Sequence, residues 1–378
     1  MGKIDELIKQ FCPDGVQLVS LDSVCSFKRG TTITAKKAIP GEIPVIAGGQ
    51  TPSYYHNEAN RDGETIAVAG SGAYAGFVSY WDTPIFLSDA FSVEPCSKVI
   101  HKYLFYYLRH NQQKIYALQK GAGVPHVHGS DISKFKIPLP PLAVQKKIVE
   151  ILDTFTGMID NLQKELEQRQ KQFEHYRDQM LTFKEGEVQM KPIKEIGKLV
   201  RGNGLQKKDF TEDGTGCIHY GQIYTRFGLS TSSTLTFVDS QLAAKLTKVS
   251  PGDLVIACTS ENIEDVCKSV AWLGKEDIVT GGHACVFKHS ENPKYIAYCF
   301  TTSAFFLQKR KYAYGAKVID IKTEKLGEIT LPVPSLEKQQ EIVDKLDTFE
   351  ALISNIKQEI ELRQKQYEYY REKLLTFE

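Results

Sequence analysis

The stretch PLPPLAVQKKIVEILDTFTGMIDNLQKELEQRQKQFEHYRDQMLTF at residues 138–183 is followed by a second version, PVPSLEKQQEIVDKLDTFEALISNIKQEIELRQKQYEYYREKLLTF, at residues 332–377. One copy slides onto the other with a constant offset of 194 and no gap, and 24 of the 46 positions are identical. The identities include Leu142/Leu336, Gln145/Gln339, the Leu-Asp-Thr-Phe runs at 152–155 and 346–349, and Arg169–Gln172 against Arg363–Gln366. Within each copy the large apolar residues step alternately by four and three: Ile148, Leu152, Phe155, Ile159, Leu162, Leu166, then Phe173, Tyr176, Met180, Phe183. A heptad beat sustained this long predicts a long coiled-coil helix in each copy. The beat is broken once per copy, at Arg169 and Arg363, and a single polar seam residue is a device for fixing register or partner choice.

Around these helices the chain divides into five segments. Residues 1–15 read as a short amphipathic helix (Ile4, Leu7, Ile8, Phe11) closed by the turn signal Pro13-Asp14-Gly15. Residues 16–137 form a first α+β domain, with short β-type runs at 43–46, 65–69, 76–81 and 91–93 and a helical pattern over 101–119. Residues 138–186 hold the first long helix, opened by Pro138–Pro141 and ended by Gly186. A second domain fills 187–331, and the second long helix fills 332–378. Lys28-Arg29-Gly30 finds its counterpart in Arg201-Gly202 at an offset of 172, and Gly121-Ala122-x-Val124 matches Gly315-Ala316-x-Val318 at 194. Between those anchors the domains share almost nothing, as expected of one fold with two specificities. Only about ten residues join Phe183 to the second domain, whereas a parallel helix pair would need a linker that recrosses about 54 Å. The expected fold is therefore α+β, with two similar domains separated by two long antiparallel coiled-coil helices and pseudo-twofold symmetry.

Composition adds bounds. Each globular segment has a small basic excess, 12 Lys+Arg against 9 Asp+Glu over 15–137 and 18 against 15 over 192–331, while both heptad helices are slightly acidic. A basic excess on the domains is compatible with a polyanionic partner. Eight scattered cysteines without a Cys-x-x-Cys pair read as reduced thiols of a cytoplasmic protein. No apolar run approaches the ~18 residues of a membrane span.

The chain has no phosphate-loop, Asn-Pro-Pro-Tyr, His-Glu-x-x-His or Gly-x-Ser-x-Gly motif. The glycine-rich run Gly70–Gly76 follows a strand but leads into another β run, so it lacks the helix N-terminus that holds a phosphate. It reads instead as a loop that lets backbone approach a partner. His126 and His128 flank Val127 without a third ligand at metal-site spacing and read as loop hydrogen-bonding residues. Neither catalytic residues nor a metal site is expected. The polar, aromatic loops are the candidates for nucleic-acid contact: Lys28, Arg29, Gln50, Ser53, Tyr54, Tyr55, His56, Asn57, Ser71 and Tyr74 in the first domain. In the second they are Tyr220, Gln222, Tyr224, Thr225, Arg226, Thr259, Ser260, Glu261, Asn262, Lys309, Arg310, Lys311 and Lys317. Gln, Asn and Arg can pair two-pronged with bases, while Lys, Ser, Thr and Tyr reach phosphates.

The order of short N-terminal segment, variable domain, proline-led heptad helix, second variable domain and near-identical heptad helix resembles the specificity (S) subunit of type I restriction–modification systems. The residues carrying the resemblance are Leu7–Val16, the basic–glycine entries at 28–30 and 201–202, and the Pro-x-Pro-x-Leu-x-x-Gln helix starts at 138–145 and 332–339. The resemblance implies two target recognition domains, each reading half of a split, asymmetric site on double-stranded DNA, with the antiparallel helices as a ruler. It further implies two methyltransferase (modification) subunits docked on the helices, with S-adenosylmethionine bound there for adenine N6 methylation. A restriction subunit using ATP and magnesium would complete the endonuclease. This chain itself would then need no cofactor and no catalytic group. Two other readings stay open from the residues alone: a coiled-coil adaptor joining two protein-binding domains, and an enzyme using the 70–76 loop.

Overall fold

The computed structural model describes Glu6, Gln10–Pro13 and Gly15–Phe377. Glu6, Gln10 and Phe11 are helical, while Ile4, Leu7 and Ile8 of the expected N-terminal helix lie outside the described residues. The chain divides into two compact units, one made of residues 1–163 and 358–378 and the other of residues 164–357.

The first unit is built on a four-stranded antiparallel sheet in the order Cys25–Arg29, Ala90–Pro95, Thr65–Ala69, Val78–Trp81. Its central strand, Thr-Ile-Ala-Val-Ala, is buried at every position, which is why it reads as an unbroken apolar run rather than an alternation. A three-stranded sheet (Tyr54–His56, Ile43–Ile46, Phe86–Leu87) with one parallel pair stands beside it. The helical region over 101–119 is two helices, His101–His110 and Gln112–Tyr116. The break falls at Asn111, whose side-chain amide donates to the Tyr107 carbonyl at 2.9 Å, a local bond that competes with helix continuation.

The second unit repeats the plan. Its main sheet runs Gly197–Arg201, Ala284–His289, Leu254–Ala257, Ser269–Trp272, with Ser230–Thr231 added parallel at the edge. The two-strand pair Leu18–Ser20 with Lys136–Pro138 is matched by Gln189–Pro192 with Thr330–Val333. The extra length of the second domain lies mostly between Arg201 and Leu254, which supply three strands of a four-stranded sheet, completed by Ile278–Thr280, and the helix Tyr220–Thr225.

The first long helix spans Leu142–Met180 and the second Leu336–Thr376. The first ends three residues before Phe183, and Gly186 (φ +82°) sits in the turn beyond it rather than at the helix terminus. Within the first unit Phe155 stacks on Tyr370 at 5.1 Å, Ile159 and Asp160 share a groove with Gln364 and Tyr367, and Ile148 and Leu152 share a core with Leu374 and Leu375. Rising numbers on one helix meet falling numbers on the other, so the segments are antiparallel. Within the second unit Tyr176 stacks on Phe349 at 5.4 Å, Gln170 and Arg177 share a groove with Lys357 and Glu350, and Leu181 shares a core with Ile342, again antiparallel. Ile148, Leu152 and Leu346 are fully buried, each worth roughly 1.5–3 kcal/mol relative to exposure. Arg169 and Arg363 do not reach across a seam. Arg169 pairs with Glu165 (3.5 Å) and donates to Gln172 (3.0 Å), and Arg363 does the same to Glu359 (2.7 Å) and Gln366 (2.9 Å), each along its own helix.

Each helix is tied to its domain by the same set of bonds. Gln145, fully buried, accepts from the Ile100 N–H at 2.9 Å and donates to the Lys98 and Pro140 carbonyls, both at 2.9 Å. Gln339 accepts from the Asn292 N–H and donates to the Pro334 carbonyl and the Glu291 carboxylate. Asp153 takes Lys102 and the Tyr106 hydroxyl; Asp347 takes Lys294 and the Tyr298 hydroxyl. The repeat found in the sequence is thus a repeat of the joint between helix and domain.

Candidate nucleic-acid interface

A three-bond backbone frame at one end of the main sheet recurs in both domains. In the first, Gly30 N–H donates to the Ala90 carbonyl (2.8 Å), Gly70 N–H to Asp89 (2.9 Å) and Val127 N–H to Gly70 (3.0 Å). In the second, Gly202 donates to Ala284 (2.8 Å), Cys258 to His283 (2.9 Å) and Ile321 to Cys258 (3.1 Å). Glycine is required at the first position, because a Cβ on Gly30 would lie 2.2 Å from the Leu87 carbonyl oxygen and one on Gly202 1.9 Å from that of Gly281. The frame brings together Arg29, Asp89 and His126 in one domain and the equivalent Arg201, His283 and Asp320 in the other.

In the first domain this end of the sheet forms a cavity of about 220 Å³ lined by Arg29, Asp89, His126 and His128 among others. Arg61, overlooked in the sequence, braces the strand end that carries Arg29. Its guanidinium donates to the carbonyls of Lys28 (3.1 Å), Arg29 (3.2 Å) and Asn60 (2.7 Å) and to the Ser92 hydroxyl (2.8 Å), fixing the strand end that presents the exposed Lys28 and Arg29. The Arg29 side chain is 79% exposed, with Asp89 at 4.0 Å. Ser71 donates to Asp89, and Gly48, two residues from the exposed Gln50, lies against the Ser71 carbonyl. Tyr74 is exposed in the same glycine-rich loop, which runs into the strand Val78–Trp81 with no helix start.

Ser53, Tyr55 and Asn57 are exposed on and beside the edge strand of the smaller sheet. Two neighbours are spent internally. His56 is buried, its Nδ1 within 3.1 Å of the Ile39 backbone and its ring edge-on to Phe86, and the Tyr54 hydroxyl donates to the Ile33 carbonyl at 2.6 Å. His56 is therefore a packing residue, and alternation along the strand turns it inward while Tyr55 faces out.

In the second domain the equivalent place is a larger pocket, about 480 Å³, and it gathers Tyr220, Tyr224, Thr225, Thr259, Ser260, Glu261 and Asn262. His283, Asp265 and Val318 line it too, and sequence reading proposed none of the three as a site residue. The only signal for His283 is its place before the strand Ala284–His289, where Asp89 precedes Ala90–Pro95. The Tyr220 ring stands between His219 (4.4 Å) and His283 (4.8 Å), and His283 Nδ1 meets the Thr259 hydroxyl at 3.0 Å. The Tyr224 hydroxyl donates to the Thr259 carbonyl at 2.6 Å, and burial pushes its pKa up. His219 Nδ1 accepts from the Gly221 N–H at 3.2 Å. Burial, assisted by Lys207 and His283, depresses its pKa.

Two expected contacts are corrected. The Lys309 ammonium is buried, donating to the carbonyls of Glu264 (2.8 Å) and Val266 (2.6 Å); burial lowers its pKa, and it braces the loop below the pocket. Gln222 is occupied in the helix cap, accepting from the His219 N–H (2.9 Å) and donating to the Thr236 hydroxyl (3.1 Å). Arg226 is exposed at the end of the same helix; Arg310, Lys311 and Lys317 are exposed, Lys317 beside the pocket residue Val318. Among the described residues no group of three or more His, Cys, Asp or Glu side chains could hold a metal ion, and no helix is long and apolar enough to cross a membrane.

The family model for the type I restriction modification DNA specificity domain matches residues 13–169 and again 185–362. Similar curated proteins include the specificity subunit of the type I restriction enzyme EcoR124I/EcoR124II of Escherichia coli, 35% identical over 66% of this chain and 65% of that subunit, so the match spans just under two thirds of that relative. The MjaVIII specificity subunit of Methanocaldococcus jannaschii is 26% identical over 82% of this chain and 78% of its own. Among solved structures, the S subunit of a type I restriction–modification system from M. genitalium superposes over 95% of this chain and 96% of its own with a TM-score of 0.63 at 17% identity. A chain from a study of complex assembly and conformational transition of the type I R-M system covers 96% and 98% with a TM-score of 0.59 at 16% identity. These two likenesses show a shared fold.

Proposed function

The chain belongs to the type I restriction–modification DNA specificity family, with two specificity domains, and from that premise we propose that each domain reads one half of a bipartite DNA site. The observation that carries the reading is the duplicated strand-end frame. The same backbone bonds hold Arg29, Asp89 and His126 in one domain and Arg201, His283 and Asp320 in the other, so the position is kept while two of the three side chains differ. A conserved scaffold with exchanged polar groups is what two readers of different base sequences require.

In this reading the long helices set the unspecified gap and dock two modification subunits. The chain itself is non-catalytic: adenine methylation with S-adenosylmethionine belongs to those subunits, which must flip the target base from the stack. Cleavage with ATP and magnesium belongs to a restriction subunit. Exchange of residues 192–331 for the matching segment of a relative tests the reading. The expected result is a new preference in one half-site with the other unchanged. Change in both halves, or affinity for duplex DNA that does not fall with salt, removes it and leaves the adaptor reading.

A further inference from the structure

The two strand-end sites differ in which polar groups are left unspent. In the first domain Arg29 reaches from the strand end with its side chain 79% exposed and Asp89 as its ion-pair neighbour, at 4.0 Å. In the second, the equivalent Arg201 is withdrawn into the scaffold. It donates to the Gly282 carbonyl (3.2 Å), the Ile321 carbonyl (3.4 Å) and the Asp320 carboxylate (3.2 Å). The charge of this strand end is thus available in one domain and consumed in the other.

The pocket of the second domain is similarly settled except at two groups. Tyr224 is tied to the Thr259 carbonyl, the Thr259 hydroxyl to His283, and Asn262 and Asp265 to each other. Glu261 is exposed and has no hydrogen bond or ion pair, and it stands with the Tyr220 ring at the wall of the pocket. An ionised carboxylate only accepts hydrogen bonds. Brought against a duplex it is repelled by phosphate, and left unpaired in the interface it costs its full desolvation penalty. The major-groove groups that satisfy it are the exocyclic amines of cytosine (N4) and adenine (N6). Guanine O6 and N7 are acceptors, which suit Arg29 instead.

We propose that the two domains read base edges of opposite hydrogen-bond polarity: the first selects an acceptor edge, guanine, through Arg29, and the second selects a donor edge, an amine-bearing cytosine or adenine, through Glu261 in the pocket walled by Tyr220. The proposal rests on the DNA-reading role and names its substrate chemistry. Loss of one such contact relaxes discrimination at a single base position by roughly 5- to 150-fold.

The test is selection from a randomised duplex library by the full chain, as wild type, Glu261→Ala and Arg29→Ala, with sequencing of the bound pool. The expected wild-type result is a split motif with a G·C pair at a position of one half and a specified pair at a position of the other. Glu261→Ala relaxes only the second and Arg29→Ala only the first, and removing the amine of that second pair, purine for adenine or 2-pyrimidinone for cytosine, weakens binding by the wild type but not by Glu261→Ala. Wild-type affinity that survives loss of the amine overturns the proposal, as does an unchanged motif in Glu261→Ala. A uniform rise in affinity without relaxation also overturns it, because the carboxylate then only repels phosphates. A wild-type pool with no motif instead removes the DNA-reading role itself.

Discussion

Replacing Gln145 by alanine strands three backbone groups at once: the Ile100 N–H at the start of the helix His101–His110, and the carbonyls of Lys98 and Pro140. That helix has no side-chain cap of its own, so the Gln145 amide serves as one from a distant part of the chain. The side chain is fully buried, which keeps water from replacing it directly. An unsatisfied buried donor costs about 1–3 kcal/mol, and the loss of a cap typically about 1 kcal/mol. We expect Gln145→Ala to destabilise the first unit by about 3 kcal/mol, over a hundredfold in its unfolding equilibrium. Urea denaturation gives the total, and hydrogen exchange of the 100–110 amides localises it. Gln339→Ala provides an internal comparison, since its amide meets Asn292 N–H, Pro334 carbonyl and Glu291 in the same way but the helix Pro293–Cys299 is also capped by Asn292 itself. Its cost should be the smaller. A Gln145→Ala loss below about 0.5 kcal/mol, or unchanged exchange at 100–110, refutes the capping role.

Gly202→Ala, whose Cβ would meet the Gly281 carbonyl oxygen at 1.9 Å, should lower the melting temperature and weaken DNA binding. Gly157→Ala, with nothing within 4 Å in mid-helix, should stabilise by about 0.5–1 kcal/mol. Burial depresses the pKa values of His219 and His289 below the ordinary 6.5, so the folded state binds fewer protons than the unfolded chain. Their stabilisation is complete above about pH 6.5 and is lost as pH falls through the depressed folded values. The urea midpoint should therefore drop from pH 7 to pH 5, less so in His289→Phe. Lys28→Ala should reduce the magnitude of the slope of log affinity against log salt by about one without changing the motif, whereas Lys309→Met should leave the slope alone and cost stability.

The long helices and the domain frame were legible because they rest on periodicity and on glycine, both properties of local sequence. The helix-to-domain joints were legible as identities, Gln145 with Gln339 and the aspartates of the two Leu-Asp-Thr-Phe runs, but not as chemistry. Their partners, Ile100 and Lys102 in one unit and Asn292 and Lys294 in the other, lie outside the repeated stretch. Lys309 and His56 misled because residue type reports polarity and not burial. The carbonyls that hold Lys309 belong to residues 264 and 266, and only the packed fold brings them to it. His283 was hidden for a related reason. It enters the pocket because Cys258 N–H pairs with its carbonyl across two strands, a register no local pattern announces.

The two stacked pairs put a condition on any change of helix length. Phe155 meets Tyr370 in one unit and Tyr176 meets Phe349 in the other. The separation along the first helix, from 155 to 176, equals that along the second, from 349 to 370, at 21 residues, three full heptads. Seven residues inserted after residue 163 alone make the separations unequal, so the matched spacing of the two stacked pairs is lost. Seven inserted after 163 and seven after 357 keep both pairs, because those points are equivalent in the repeat. They are also where the chain passes between units. Each insertion adds about 10 Å of helix, close to three base-pair steps. The doubly extended chain should keep wild-type stability and bind the same two half-sites with a gap longer by about three base pairs. The singly extended chain should lose stability in one unit. Equal behaviour of the two variants would mean that the aromatic pairs do not hold the register.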